Sequence, residues 1–310
     1  MPWRPCDGIV DHKAVDEGDS PAASRMMDNV QNLALAFYFL NDTASGLRAC
    51  QQLDTWFLQP ATRMNPNWLY GQSSPGLDTG SHGTMIEWTN IVGVLDSAVL
   101  LRNASCWSDA LERGLQAWVG QLLESIRVTN ADEMNGERDM KNNHGTWYDS
   151  TVSGLALFSG NVSLAHGIAA NVSTVRIDPQ ILPSGEMPLE TARTNGQHYT
   201  VYNLQAFANV ATFATDAGVD LWTYRGPQGQ SLRGALDYTL PFALGQQPWP
   251  FPELDPPDWT GLLLPLRRAS RALRNETYEM VARHVAGSAS AYANSLVNLL
   301  VPPIFNVSAY

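Results

Sequence analysis

The chain has 310 residues, of which 44% are hydrophobic, so it can bury a substantial core in one large or two ordinary domains. Its formal net charge of −11 argues against nucleic acid as a partner, because nucleic-acid binding needs a basic surface that neutralises phosphates. No apolar run approaches the roughly 18 residues of a membrane helix, and the N-terminus has no apolar signal-peptide core, so no membrane partner is expected.

Apolar residues recur at helical spacing through most of the chain, whereas the alternation typical of strands is scarce. In chain order, the pattern predicts helices over 24–40, 47–58, 89–101, 111–126, 146–158, 162–172, 199–215, 231–240, from about 271 or 275 to 284, and over 290–300. Glycine or proline ends several of them, as at Gly160, Gly218, Pro241 and Pro302. We expect one all-α domain that spans residues 1–310.

The connections between these helices alternate between short turns and long loops rich in aromatic residues and proline. The long ones are 65–82, 129–144, 179–198 and 246–259. Helix pairs with long loops gathered at one end indicate an α/α toroid whose loops build a groove.

Six Asn-x-Ser/Thr sequons indicate a chain that passes through a eukaryotic secretory pathway. They are at Asn41, Asn103, Asn161, Asn171, Asn275 and Asn306. The three cysteines, Cys6, Cys50 and Cys106, allow at most one internal disulfide, and no cysteine or histidine spacing indicates a metal site. We therefore expect an extracellular protein that holds no metal.

Two segments concentrate polar side chains at the starts of predicted helices. The first, residues 141–149, reads KNNHGTWYD, and the second, residues 189–199, reads LETARTNGQHY. NNHGTWYD followed some fifty residues later by LETARTNGQHYTVYNL closely resembles the alginate lyase superfamily of polysaccharide lyases. Its nearest branch is polysaccharide lyase family 38, with the alginate lyases of family 5 further off. Segments 55–72, 83–97, 219–238 and 248–254 extend the resemblance over roughly residues 2 to 260.

The resemblance implies an incomplete α/α toroid and the elimination of uronate without a cofactor. By matching motif, Asn143 and His144 fall on the family's Asn-His pair, Arg193 on its arginine and Tyr199 on its catalytic tyrosine. Trp147 matches a tryptophan of the groove. The family carries further sequence before the segment that begins here at Pro2, so the N-terminal part of its domain is expected to be missing.

The chemistry of β-elimination suits these residue types. The proton on C5 of a uronate is poorly acidic beside an ionised carboxylate, so donors from Asn143, His144 and Arg193 must neutralise that carboxylate. In mannuronate and glucuronate the C5 proton and O4 lie on one side of the ring, so Tyr199 can serve as base and acid, provided that nearby positive charge lowers its pKa. In guluronate they lie on opposite sides, and His144 would be the base.

A basic cluster of Arg63, Lys141, His144, Arg193 and His198 allows an acidic protein to bind a polyanion, because charges act mainly within a Debye length of about 8–10 Å. We predict substrate contacts from Arg63, Lys141 and His198, and stacking on sugars by Trp68, Tyr70, Trp88, Trp147, Tyr148 and Tyr202.

The sequence therefore predicts a monomeric lyase, without cofactor, that cleaves a β-1,4-linked uronan such as glucuronan or mannuronate-rich alginate. One alternative is an inverting glycoside hydrolase that uses two carboxylates among Asp149, Glu186 and Glu190. The residue context favours a different role for these three side chains, which is to orient an arginine or histidine or to cap a helix. The other alternative is a silent protein that binds uronans without cleaving them.

Overall fold

A computed structural model describes residues 7–9, 19–71, 82–129 and 136–305, and the regular structure in these ranges is helical. They contain no strand, only an isolated antiparallel bridge between Asn195 and Glu253. The predicted all-α class is therefore confirmed. Close backbone contacts divide the chain into two compact units. Unit 1 comprises residues 1–139 and 151–165, and unit 2 comprises residues 140–150 and 166–310.

The described residues of unit 1 include the helices α1 (Ser20–Leu40), α2 (Thr43–Phe57), α3 (Ile91–Leu100) and α4 (Asp109–Thr129), with 3-10 turns at His82–Trp88 and Leu101–Asn103. Helix α1 packs against α2 and α3, and α2 contacts α4. Asp42 begins α2, since its carboxylate accepts hydrogen bonds from the backbone N–H groups of Ala44 and Ser45 at 3.0 and 3.3 Å.

The interior of unit 1 is formed by the apolar stripes that the sequence pattern predicts. Val30, Leu53 and Leu122 are fully or almost fully buried, and the Phe57 and Trp118 rings lie 4.6 Å apart between centroids. A disulfide joins Cys50 of α2 to Cys106, with 6.3 Å between their Cα atoms. The single expected disulfide thus pairs Cys50 with Cys106, while Cys6 lies outside the described residues.

One stretch of unit 1 corrects the expectation that no segment is apolar enough for a membrane helix. Residues Gly83–Asn103 are long and apolar enough for a membrane helix, with a mean hydropathy of 1.3 over the most apolar stretch of 18 residues. Of that stretch, 56% is buried. Ile91, Val94 and Leu101 lie in the core of unit 1. The apolar character of this stretch is what a core helix requires.

Unit 2 contains the shorter helices α7 (Asp178–Gln180), α8 (Pro188–Thr191), α13 (Ala289–Ala293) and α14 (Val297–Leu300), and the longer helices α9 (Gly196–Asp216), α10 (Leu232–Ala243), α11 (Leu263–Leu273) and α12 (Glu276–Val285). Two further helices, α5 (Asn143–Phe158) and α6 (Val162–Val172), contribute residues to both units. A π-helical turn, Ser173–Ile177, connects α6 to α7. The core of unit 2 lies around α9, where Leu204 and Phe207 are buried with Leu236, Leu266 and Tyr278.

Several helix predictions in unit 2 need correction. Helices α7, α8 and α11 were not predicted, and the predicted helix 290–300 is broken into α13 and α14. At the break, the Asn298 amide donates to the carbonyls of Tyr292 and Ala293, at 2.7 and 3.1 Å, in place of helical hydrogen bonds. Helix α10 also continues past Pro241 for two residues, because a proline this close to the end removes only one hydrogen bond of the last turn.

Candidate active site

The first turn of α5 is fixed by a carboxylate from another helix. Asn143 begins α5, and Glu190 of α8 accepts its backbone N–H on Oε1 at 2.5 Å and its side-chain amide on Oε2 at 2.7 Å. Both residues are only 1% exposed. A carboxylate at a helix N-terminus satisfies N–H groups that have no partner within the helix and is favoured by the helix dipole.

Two predicted catalytic residues lie next to groups that Glu190 binds. His144 directly follows Asn143 in α5, and the Arg193 backbone N–H donates to the Glu190 carbonyl at 3.0 Å. Burial raises the pKa of Glu190 to about 7, and hydrogen bonds from Asn143 and the charges of Arg193 and His144 oppose this shift. Asn203 of α9 also donates its amide to Oε1, at 3.2 Å. Glu190 therefore binds Asn143 directly, while His144 is the next residue after Asn143 and Arg193 donates its backbone N–H to the Glu190 carbonyl.

The fourth predicted catalytic residue is joined to this group through Arg193. The guanidinium carbon of Arg193 lies 3.6 Å from the centroid of the Tyr199 ring, a cation–π contact. Tyr199 is part of the first turn of α9, where its backbone N–H donates to the Asn195 carbonyl at 3.0 Å. Its side chain is partly exposed, so the ring combines contact with a cation and access to solvent.

A buried ion pair in unit 2 holds the segment that leads into α5. Arg176, from the π-helical turn, bonds both oxygens of Asp149, at 2.7 and 3.1 Å, and donates to the Met140 carbonyl at 2.9 Å. Burial raises the pKa of Asp149, and the adjacent Arg176 charge opposes that shift. A Cβ atom on Gly145 would lie 2.1 Å from the Met140 oxygen, so this close approach requires glycine.

The three carboxylates considered for a hydrolase each have a partner in unit 2. Asp149 is paired with Arg176, and Glu190 caps α5. Glu186 accepts a hydrogen bond from the Thr191 hydroxyl at 2.9 Å. The interpretation that these groups orient an arginine or cap a helix is confirmed for Asp149 and for Glu190, and it stays a prediction for Glu186. The sequence did not indicate Arg176, and the pairing of Glu190 with Asn143 crosses 47 residues, beyond any local pattern.

Three of the predicted stacking residues lie in the interior. Trp68, Trp147 and Tyr148 are each 5% exposed, so none presents a ring face to a sugar in this structure. Trp147 instead packs against Tyr202, with 4.9 Å between ring centroids. The reason is that α5 is enclosed along most of its length, so an aromatic residue in its first turns contributes to packing.

The other predicted binding residues have exposed surface. In unit 2, Lys141 and His198 are exposed and Tyr202 is half-buried. In unit 1, Arg63 and Tyr70 are exposed and Trp88 is half-buried. A role in substrate binding stays a prediction for each of them.

A cavity of about 320 Å³ opens beside the N-terminal half of α9. His198 and Tyr202 line it with nearly parallel rings, 6.1 Å apart between centroids. Its opposite side comes from the segment 253–261, which contributes Glu253, Asp255 and Asp258. Glu253 ties this segment to α9 by accepting the Gln197 backbone N–H at 2.8 Å. The cavity therefore carries polar and acidic groups of the kind that bond sugar hydroxyls. Among the described residues, no group of three or more His, Cys, Asp and Glu could hold a metal ion.

Comparison with known proteins identifies the family. The family model described as alginate lyase matches residues 1–249. The chain belongs to the alginate lyase family. It is therefore a polysaccharide lyase, as the sequence predicts, while its assignment to family 38 stays a prediction. A comparison with curated protein sequences gives no significant match.

Solved structures of alginate lyases share the fold of this family member. An alginate lyase from Bacteroides ovatus is 28% identical and superposes with a TM-score of 0.86, over 98% of this chain and 80% of that chain. A His-to-Ala variant of alginate lyase A1-III, in complex with a tetrasaccharide, is 15% identical with a TM-score of 0.58, over 87% of this chain and 75% of that chain. The second likeness shows the fold alone. Together with the helices described above, these matches confirm the predicted α/α toroid fold class.

Proposed function

We propose that this lyase cleaves a β-1,4-linked uronan, either glucuronan or mannuronate-rich alginate, by β-elimination. Its product would carry a 4,5-unsaturated uronate at the new non-reducing end. The observation that carries the proposal is the contact of Arg193 with Tyr199, beside His144 and the Asn143–Glu190 pair. This contact sets a phenol next to a cation, and uronate elimination requires such a base together with donors that neutralise the carboxylate.

In the proposed step, Tyr199 acts first as a phenolate and takes the proton from C5. The electron pair left on C5 forms the C4–C5 double bond as the C4–O4 bond breaks, and Tyr199 returns the proton to the departing O4. Arg193, with its guanidinium 3.6 Å from the ring centroid, supplies the nearby positive charge that the base role of Tyr199 requires. One residue suffices when the C5 proton and O4 lie on the same side of the ring.

The uronate carboxylate must be neutralised while C5 loses its proton. We assign this role to His144 and Arg193, with Lys141 as a more exposed cation. Asn143 is 1% exposed and uses one amide N–H on Glu190. Its second amide N–H remains as a donor at the floor of the site. Such fixed donors stabilise developing charge without having to reorganise during the reaction.

The test is the ultraviolet absorbance of the unsaturated uronate, measured on glucuronan, polymannuronate and polyguluronate. We expect absorbance to rise on glucuronan or polymannuronate, and to be lost in Tyr199→Phe. Tyr38→Phe is the matched control, because Tyr38 is an exposed tyrosine of unit 1 and should leave the rate unchanged. Reducing ends without absorbance would indicate the hydrolase. Binding of a uronan by folded protein without any product would indicate the silent binder.

The proposal extends to compartment and partners. The protein would act outside the cell as a glycosylated monomer, with an anionic polysaccharide as partner and no cofactor. Asn41, Asn103 and Asn161 support this because they are exposed at helix ends, where a glycan can be attached. Asn171 instead donates its side-chain amide to the Gly167 carbonyl. Asn275 is half-buried and caps α12, and Asn306 lies outside the described residues. Secretion from a eukaryotic host, followed by enzymatic glycan removal and mass measurement, would test this.

A further inference from the structure

Glu190 is a buried carboxyl group that the proposed reaction does not use directly. Both of its oxygens are engaged: Oε2 accepts from the Asn143 amide, and Oε1 accepts from the Asn143 backbone and the Asn203 amide. The chain thus fixes Asn143 at its backbone and at its side chain through one group. A residue held in this way is positioned by that group.

The charges that face Glu190 are those that the substrate needs. His144 follows Asn143 in α5, the Arg193 backbone N–H donates to the Glu190 carbonyl, and the charges of both lower the pKa of Glu190, while α9 contributes the neutral amide of Asn203. The other buried carboxylate near the start of α5, Asp149, is already paired with Arg176. A uronate carboxylate bound between His144 and Arg193 would share the two cations that now stabilise ionised Glu190. It would also add a negative charge nearby, and like charges disfavour ionisation.

The surroundings of Glu190 also contain acceptors for a proton. The side-chain oxygens of Asn143 and Asn203 are both buried and have no hydrogen-bond partner among the described residues. A protonated Glu190 would have an O–H to donate, and rotation of either amide by 180° would present its oxygen to that O–H. For Asn143, the same rotation would turn the whole NH2 group to the place that the unpaired oxygen now occupies.

We propose that Glu190 is the positioning residue of Asn143, and that it becomes fully protonated, by uptake from solvent, when a uronate carboxylate binds at His144 and Arg193. This inference rests on the proposed function, because the ligand is the uronate of that reaction. The protonated carboxyl group then keeps its contact with Asn143 through an O–H donor. Burial has already brought the pKa of Glu190 to about 7, so a small further change in its surroundings alters its charge near neutral pH.

The test is calorimetric titration of an oligoglucuronate or oligomannuronate into the Tyr199→Phe variant, which binds without turnover. Repeating the titration in buffers of different ionisation enthalpy gives the number of protons taken up. Because a group with a pKa of about 7 is half protonated at that pH, we expect an uptake of about half a proton at pH 7. Glu190→Gln in the same background should abolish this uptake, and Glu186→Gln, a neighbouring half-buried glutamate, should leave it unchanged.

Equal uptake with and without Glu190 would overturn the inference and assign the proton to another group, such as His144. If Glu190→Gln does not fold, infrared spectra of the Tyr199→Phe variant decide instead. A protonated-carboxyl band that grows when oligouronate is added supports the inference, and an unchanged spectrum contradicts it. If the folded Tyr199→Phe variant binds no oligouronate, the proposed substrate itself is contradicted. This outcome distinguishes a failure of the proposed function from a failure of the inference about Glu190.

Discussion

The guanidinium of Arg193 lies 3.6 Å from the centre of the Tyr199 ring, and the two residues belong to different structural elements. Arg193 follows α8, whereas Tyr199 lies in the first turn of α9, and its N–H donates to the Asn195 carbonyl at 3.0 Å. The contact therefore depends on the short connection between the helices. A planar guanidinium can lie over an aromatic face, which a lysine ammonium cannot match in shape.

Replacement of Arg193 is expected to reduce catalysis more than binding. Arg193→Ala removes the charge over the Tyr199 ring, and loss of one such stabilising group costs about 10²–10³ in kcat. The rate of Arg193→Lys should lie between the rates of Arg193→Ala and the wild type, because lysine keeps the charge but loses the planar contact. Initial rates from the ultraviolet assay measure both. Arg127→Ala, at an exposed position on α4, is the control, and an Arg193→Ala rate within a few-fold of wild type would exclude this role.

Gly145→Ala is expected to destabilise the protein, because the added Cβ would lie 2.1 Å from the Met140 carbonyl oxygen and 2.7 Å from the Arg176 guanidinium. Overpacking of this kind costs about 1–3 kcal/mol of unfolding free energy. Gly167→Ala is the matched control, since nothing lies within 4 Å of its Cβ and alanine is favoured in a helix interior. Urea denaturation of both variants measures the difference. Similar midpoints for the two would show that the α5 turn can relax.

Stability is expected to fall as pH rises from about 4.5 to 7, through Glu190. Burial raises its pKa from the ordinary 4.5 to about 7 in the folded protein, so the folded state keeps a proton that the unfolded chain has lost. The stabilisation from this proton is fully present below the pKa of Glu190 in the unfolded chain and is lost as the pH rises through its pKa in the folded protein. The free energy of unfolding falls by about 3 kcal/mol at most. Urea midpoints at several pH values should show a shallower fall for Glu190→Gln than for wild type or Glu186→Gln.

Asp255→Asn is expected to lower the KM for a uronan at low salt. Asp255 lines the cavity beside His198 and Tyr202, where its charge repels a polyanion. The gain should be about two- to five-fold at low ionic strength and disappear in high salt, because screening shortens the Debye length to about 3 Å at 1 M. Asp216→Asn, at the far end of α9, is the control. A gain that persists in high salt would indicate another cause.

The amphipathic pattern was sufficient for most helices, because the residues that it places on one stripe are the ones buried. Helix α6 begins and ends where the pattern predicts, at Val162 and Val172. The pattern did not predict helix α11 because the buried face of this helix includes Arg267, and a charged residue is expected at the surface. In the structure Arg267 is fully buried and lies 2.8 Å from the carboxylate of Glu279 on α12. A charge neutralised by a distant partner cannot be recognised from its neighbours in sequence.

The catalytic candidates were found through family motifs, and the contacts that connect them were not. Nothing in the local pattern joins Asn143 to Glu190, because their hydrogen bonds depend on how α5 and α8 pack. Burial of Trp147 could not be predicted either. Aromatic residues near a polar motif suit a groove and a core equally well, and the choice depends on which face of α5 is covered.

The π-helical turn Ser173–Ile177 has a consequence for insertions and deletions. It lies within a continuous helical run from Val162 to Gln180, and a π turn holds one residue more than an α turn. The π turn already holds one extra residue, so inserting a further residue between Val162 and Val172 would rotate Arg176 by about 100° around the helix axis relative to the start of α6. Its guanidinium would then leave Asp149 and the Met140 carbonyl. The number of residues in this run, as well as their identity, is therefore constrained by the contacts of Arg176 with Asp149 and with the segment that leads into α5.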